Sequence, residues 1–95
     1  MEKTLLDVKV QRIFKVENNK FLKAFVDIVV NDALLIKSIK ILDGKRGLFV
    51  SMPQEKAKDQ KWYDSVRCVR PEIHEQISEH VLAAYQAEKD FGEEL

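Results

Sequence analysis

The hydrophobic period of the chain changes once, and this change limits the folds that it can adopt. Between Leu22 and Val30 every second residue is apolar, which is the period of a strand with one buried face. From Pro71 onward the apolar residues recur three and four positions apart, which is the period of a helix packed along one side. The order of these patterns predicts an α+β fold with strands in the first two-thirds and one C-terminal helix.

Apolar runs separated by polar, turn-forming residues predict a small antiparallel sheet of four to five strands. The runs cover 5–16, 21–30, 34–42 and 48–52, and a short fifth run covers 62–66. The turns between the first runs are predicted at 17–20, 31–32 and 43–44, which are rich in Asn, Asp and Gly. We therefore expect strands over about 5–66, with a helix over about 71–89 packed on the sheet.

Two strands leave the choice of buried face open. Parity places Phe14 on the same face as Val8 and Val10 in the first strand, although Arg12 interrupts the series. The third strand has Leu35, Ile39 and Ile41 on one face and Leu34, Ile36 and Leu42 on the other. An apolar strand with two such faces predicts a second covering layer, which we expect to be another subunit of a homodimer.

The remaining segments are polar. Residues 54–61 predict an exposed, mobile loop that carries several lysines. Pro71 suits the first position of a helix, where its missing N–H is not needed. Residues 90–95 form an acidic tail that we expect to be frayed.

The composition is typical of one folded domain, 1–95, and excludes several other classes. Apolar residues make up 45% and charged residues 34% of the chain, so a disordered or fibrous protein is excluded. The single cysteine excludes a disulfide scaffold. No apolar run approaches the ~20 residues of a membrane helix, and the first residues lack the apolar segment of a signal peptide. We expect a cytoplasmic protein with no membrane partner.

The net charge of zero hides a strong asymmetry. Residues 1–61 hold thirteen Lys and Arg against eight Asp and Glu, whereas residues 62–95 hold three against eight. The zero net charge of the whole chain excludes a strongly basic nucleic-acid-binding domain. Residues 1–61 nevertheless have enough cations for a basic patch.

No spacing in the sequence satisfies a catalytic, metal or phosphate motif. His74-Glu75 matches the start of the zinc-protease motif, but Ser78 stands where the second histidine is needed. Gly44 and Gly47 enclose two cations, but the Gly-Lys-Ser/Thr ending of a phosphate loop is missing. A β-hairpin is the better interpretation of these two glycines.

Cys68 is the one candidate nucleophile. It lies between Arg67 and Arg70, whose charges would lower the pKa of its thiol. The sequence places no histidine beside it to act as a base. We therefore expect that the protein is not an enzyme and has no cofactor, no metal site and no small-molecule substrate.

The most specific motif of the chain lies in Ile39–Pro53, which ends in Gly-Leu-Phe-Val-Ser-Met-Pro. Together with Asp7–Ile13 and with Trp62–Val69 before the helix, this segment resembles the SpoVG family, the bacterial stage V sporulation protein G or septation protein. The resemblance covers about residues 5–86. In the helix it continues through Ile77, Val81, Leu82 and Tyr85.

The resemblance implies a small dimeric regulator, linked to septation and sporulation, that binds DNA or RNA. It implies a binding surface in the basic loop after Met-Pro and around the start of the helix. In this chain Glu72, Glu75 and Glu79 stand in the first turns of the helix, where carboxylates repel phosphate. The candidate binding residues are Lys45, Arg46, Lys56, Lys58, Lys61, Trp62, Arg67 and Arg70, with Tyr63 beside Trp62.

Two functions therefore stay open at the level of sequence. One is a dimeric regulator whose aromatic residues Trp62 and Tyr63 stack on unpaired bases among the cations. The alternative for Trp62 is a structural role, in which its ring packs beneath the loop and the lysines only keep that loop soluble. The other is a protein-interaction module of cell division that does not contact nucleic acid, which the neutral net charge and the acidic helix favour.

Overall fold

The computed structural model describes the backbone of residues 6–94 and the side chains of residues 6–88. The described chain has the α+β architecture that the sequence predicts. The elements are β1 (Val8–Lys15), β2 (Leu22–Val30), β3 (Leu34–Gly44), β4 (Gly47–Ser51), β5 (Gln54–Lys56), β6 (Trp62–Asp64) and α1 (Pro71–Glu94). The predicted start of the first strand at Leu5 lies outside the described residues.

The first four strands form one antiparallel sheet in the order β1-β2-β3-β4. Tight polar turns connect them, as expected. Asn31 and Asp32 both have positive φ angles, of 54° and 50°, which these two residue types tolerate well. The side-chain oxygen of Asn19 accepts the N–H groups of Phe21 and Leu22 at 2.8 and 2.9 Å, which closes the turn before β2.

Two of the three register shifts in the sheet are β-bulges that decide which residues of β1 and β3 are buried. The register between β1 and β2 shifts between Val10 and Arg12, so Ile13 and not Phe14 points into the core. An extra residue in one strand reverses the parity of everything after it. The predicted grouping of Phe14 with Val8 and Val10 is therefore wrong, and Phe14 is 48% exposed.

A bulge in β3 has the same effect. This is the strand for which the sequence predicts apolar residues on both faces. The register with β2 shifts between the pairs Val26–Ile39 and Ile28–Ile36. Ile36 packs against the core before the bulge, and Ile39 and Ile41 are buried after it. The predicted grouping of Leu35 with Ile39 and Ile41 is wrong, because the bulge moves Leu35 to the opposite face.

Helix α1 covers the core face of this sheet. Ile77, Val81 and Tyr85 are spaced four residues apart and are buried together with the inward residues of the strands. Those strand residues are Val8, Ala24, Val26, Ile28, Val30, Ile39, Ile41 and Val50. The even positions of β2 from Ala24 onward are thus buried, as their strict alternation predicts. Leu22 is only partly buried, and a further register shift with β3 separates it from Ala24.

Three predicted segment boundaries need correction. Residues 54–61 do not form a long loop, because β5 pairs with β6 in a second, two-stranded sheet. The turn between β3 and β4 lies at Lys45–Arg46 rather than at 43–44, since Gly44 pairs with Gly47. Gly47 has a φ of 115°, which a residue with a Cβ rarely adopts.

The helix continues to Glu94, beyond the predicted end near 89. Residues 90–94 contain no proline, so the helix can continue there even though Gly92 and the carboxylates of the last turn do not favour it. The expected fraying of the acidic tail stays a prediction, and Leu95 lies outside the described residues.

A reciprocal pair of hydrogen bonds connects α1 to the segment before β1. The side-chain Oε1 of Gln76 accepts the backbone N–H of Leu6 at 3.2 Å, and the Gln76 amide nitrogen donates to the Leu6 carbonyl. Both bonds are partly buried. Leu6 itself packs against the core, so the pair fixes an apolar side chain as well as the backbone.

Replacement of Gln76 should therefore destabilise the fold. We expect Gln76→Ala to lower the free energy of unfolding by about 1–3 kcal/mol, since each bond contributes about 0.5–1.5 kcal/mol. Chemical denaturation followed by circular dichroism measures this change. Gln86→Ala, an exposed glutamine of the same helix, is the matched control and should change stability by less than about 0.5 kcal/mol. Equal effects of the two substitutions would contradict this role of Gln76.

Candidate nucleic-acid interface

The β5–β6 hairpin collects four of the predicted binding residues. Lys56 and Trp62 are directly opposite each other in the hairpin. Lys58 lies in its turn, and Lys61 comes immediately before β6. All four side chains are exposed, and Trp62 is 56% exposed. The structure therefore brings an indole ring and three ammonium groups together on one small, protruding element.

Trp62 also connects the hairpin to the large sheet. The Nζ atom of Lys40 in β3 lies 5.5 Å from the centre of the Trp62 ring, in the geometry of a cation–π contact. This contact and the exposure of the ring contradict the simplest structural interpretation of Trp62, in which the ring is hidden beneath the loop. Lys40 is a functional candidate that sequence analysis missed, because the contact depends on the register of two separate sheets.

Arg67 and Arg70 are less available than the lysines. The Nε atom of Arg67 lies 3.3 Å from an oxygen of Asp64, and Nη2 of Arg70 lies 2.7 Å from Oε2 of Glu72. Both arginines are exposed, so these ion pairs are weak, but each brings a carboxylate next to the cation. The acidic start of the helix thus neutralises part of the predicted patch.

Cys68 behaves differently from the sequence prediction. Its side chain is partly buried and packs against the core. Burial raises the pKa of the Cys68 thiol, because the thiolate is less well solvated there. The expected lowering by Arg67 and Arg70 is wrong, and both arginines pair with carboxylates instead.

Lys45 and Arg46 lie at a separate place on the surface. They form the tip of the β3–β4 hairpin, five residues along β3 from Lys40. At about 3.4 Å per residue this is a distance of roughly 17 Å from the cation that touches Trp62. The predicted residues therefore form two main groups, the tip and the β5–β6 hairpin, rather than one compact patch. Arg67 and Arg70 lie apart from both, in the segment between β6 and α1.

Hydrogen bonds of two carboxylates hold the β5–β6 hairpin in shape. Asp59 accepts the backbone N–H of Lys61 at 3.0 Å and the hydroxyl of Tyr63 at 2.8 Å. Both bonds lower the pKa of Asp59, and the bond from the Lys61 N–H has the larger effect. The bond between Tyr63 and Asp59 also raises the pKa of Tyr63. The pKa of Asp64 is lowered mainly by its bond from Gln54 at 2.9 Å.

Taken together, the geometry defines a small α+β domain with a helix on one face of a sheet and an exposed, basic and aromatic hairpin at its side. Comparison with known proteins gives the family: the SpoVG family model matches residues 4–87. The chain belongs to the SpoVG family. Within the described residues, no helix is long and apolar enough to cross a membrane.

Three relatives illustrate how far the similarity extends. A protein of Fusobacterium nucleatum subsp. nucleatum is 36% identical over 78 residues, which cover 80% of this chain and 84% of the relative. One from Agathobacter rectalis is 35% identical over 77 residues, with 81% and 88% covered. One from Archaeoglobus fulgidus is 33% identical over 78 residues, with 82% and 92% covered. Each carries the name septation protein SpoVG.

The hairpin should open when Asp59 is protonated. Folding lowers the pKa of the Asp59 carboxyl below its ordinary value of 3.8. The ionised carboxylate therefore stabilises the folded hairpin fully when the pH is above 3.8. This stabilisation is lost as the pH falls through the lowered pKa. Trp62 is the single tryptophan of the chain and reports on this transition by its fluorescence.

Tyr63→Phe removes one of the bonds to Asp59 and leaves those of Asp64 in place. We expect the acid midpoint of the Trp62 signal to move to higher pH in this variant, because the pKa of Asp59 is then lowered less. Asp59→Asn should remove the Asp59 contribution altogether. An acid midpoint that is the same in the parent and in Tyr63→Phe would contradict this account of the hairpin.

Proposed function

We propose that the protein is a small homodimeric regulator that binds DNA or RNA through the β5–β6 hairpin and acts in septation. The observation that carries the binding proposal is the exposed Trp62 ring, which has Lys40 at 5.5 Å and Lys56 directly opposite it. An aromatic ring among cations offers stacking to a base and attraction to the adjacent phosphates.

The charges near the hairpin support phosphate binding by lysine rather than by arginine. Lys56, Lys58 and Lys61 make no ion pair among the described residues, whereas Arg67 and Arg70 each have a carboxylate partner. Lysines on an exposed hairpin lose little solvation when a phosphate approaches. We expect non-specific binding with dissociation constants of about 10⁻⁴ to 10⁻⁶ M at physiological salt.

The part of the proposal that concerns the cell rests on the relatives. They carry the name septation protein, and their similarity covers most of both chains. The resemblance to the sporulation proteins of the family extends this role to sporulation and broader gene regulation. We place the protein in that group as a regulator and not as an enzyme.

Charge reversal on the hairpin tests the binding proposal. Lys56→Glu with Lys58→Glu should abolish binding to short duplex DNA and to single strands, or weaken it severely. The binding constant K is measured at several salt concentrations. In the variant, the slope of log K against log salt should become shallower by about 0.9 for each duplex phosphate that is no longer neutralised. Fluorescence anisotropy with labelled oligonucleotides measures both quantities.

A matched control uses the second basic group. Lys45→Glu with Arg46→Glu changes the net charge by the same amount at the β3–β4 tip, and it should weaken binding less. If the parent binds neither DNA nor RNA at low salt, the protein-interaction module of cell division becomes the better function. If both double variants bind like the parent, the cations that bind phosphate lie elsewhere and the hairpin proposal is wrong.

Exposed apolar side chains support the homodimer. Val69 is 90% exposed and Leu34 is 63% exposed, and both line one groove of about 310 Å³. The rest of the groove is mostly apolar and includes Leu6, Val66 and Ile73. Arg67 and Arg70 also line it, and each has a carboxylate partner that would accompany it into an interface. A second copy that covers this groove would remove these residues from water.

The dimer proposal predicts a mass of twice 11.1 kDa in sedimentation at low micromolar concentration. Val69→Asp should shift the protein to monomer, because a charge in a buried interface is costly, while its exposed position leaves the fold intact. Leu48→Asp, at the far hairpin, is the control and should stay dimeric. A parent that sediments as a monomer would remove the dimer from the proposal.

A further inference from the structure

The sheet face turned away from α1 carries a transverse row of aromatic and cationic side chains. Phe14 in β1 is directly opposite Phe25 in β2, and Phe25 is directly opposite Lys40 in β3. Lys40 then contacts the ring of Trp62. Residues directly opposite each other in a sheet share one face, so the row runs across three strands and reaches the β5–β6 hairpin.

A pocket opens beside this row at the centre of the sheet. It has a volume of about 380 Å³ and is lined by Arg12, Phe14, Phe25, Asp27, Lys37 and Ser38. Both bulges meet there, since Arg12 follows the one in β1 and Ser38 belongs to the one in β3. The Ser38 backbone has a φ of 68°, and its N–H donates to Oδ1 of Asp27 at 3.0 Å.

The charged residues that line the pocket suit a nucleobase at one point and a phosphate at another. Asp27, 6% exposed, places a carboxylate among the lining residues, and a carboxylate repels phosphate but accepts hydrogen bonds from base amino groups. Arg12 and Lys37 add exposed cations that attract phosphate. The guanidinium carbon of Arg12 lies 5.8 Å from the centre of the Phe14 ring, which leaves a mixed cationic and aromatic wall.

The same charges argue against a second copy of the chain as the occupant. Two identical faces would bring Arg12, Lys37 and Lys40 of one copy toward those of the other. Cations buried without a counter-charge are strongly unfavourable. A polyanion with flat apolar groups satisfies both the cations and the aromatic rings.

We infer that this face is a stacking platform for single-stranded nucleic acid, with one base in the pocket at Asp27 and the next bases along Phe14, Phe25 and Trp62. The inference rests on the proposed nucleic-acid binding and adds its substrate class. Duplex DNA keeps its bases stacked on each other, so the platform favours unpaired strands.

The experiment compares a short labelled oligo(dC), whose bases carry amino groups, with a mixed-sequence duplex of equal length. The parent should bind the single strand more tightly. Phe14→Ala should weaken single-strand binding by about 5- to 150-fold, the range for loss of one base–aromatic stack. The salt slope should stay unchanged, because the substitution removes no cation.

Conservative variants keep the test independent of folding. Phe14→Leu retains apolar bulk without an aromatic ring and should bind as weakly as Phe14→Ala, whereas Phe14→Trp should restore binding. Circular dichroism confirms that each variant is folded. Leu48→Ala, an apolar truncation outside both the row and the proposed dimer groove, should bind like the parent.

The outcomes separate this inference from the proposed function. If the parent binds nucleic acid and both Phe14→Ala and Phe14→Leu bind as tightly as the parent, the platform is wrong and the proposed function stands. If only Phe14→Leu binds like the parent, or if Phe14→Ala changes the sedimented mass, an apolar partner or a second copy covers the face instead. If the parent binds neither probe, both proposals fail.

Discussion

Each residue of a strand must point to one of two faces, and in this protein two bulges set that choice. Without the extra residues in β1 and β3, Phe14 and Leu35 would point toward α1, and Ile13 and Ile36 would point away. The core beneath the helix would then lose its complementary surface. The bulges therefore keep one side of the sheet uniformly aliphatic, and they leave the aromatic and charged residues on the other side. The exposed positions of Phe14 and Leu35 depend on that division.

Much of this arrangement was predictable from the sequence. The strict alternation in β2 determines its buried side, and Pro71 with the following apolar spacing determines where the helix begins. Arg12, which interrupts the alternation of β1, was the visible sign of a bulge. Asp27 gave no such sign, because a carboxylate at an odd position of β2 looks like an ordinary solvated residue until its bond to the bulged Ser38 is seen.

The arrangement of the candidate binding residues was predicted only in part, because residues far apart in the sequence meet in the fold. A short strand with exposed side chains, such as β5, leaves no hydrophobic period, so its segment resembles a loop. Only the second strand of that hairpin, β6, falls within a run predicted as a strand. The contact between Lys40 and Trp62 joins two sheets, and no local pattern reports it. The separation of Lys45 and Arg46 from the β5–β6 hairpin likewise becomes visible only when the strands are placed.

The bond pair between Gln76 and Leu6 joins residues that are 70 positions apart. It closes the described chain into a ring that includes every strand between the first residues and the helix. Closing so large a ring carries a larger entropy cost than the local pairing of neighbouring strands, so we expect this contact to form after the hairpins. The same topology couples the loss of the first strand to the release of the helix. The four-stranded sheet and helix α1 should thus unfold as one cooperative unit.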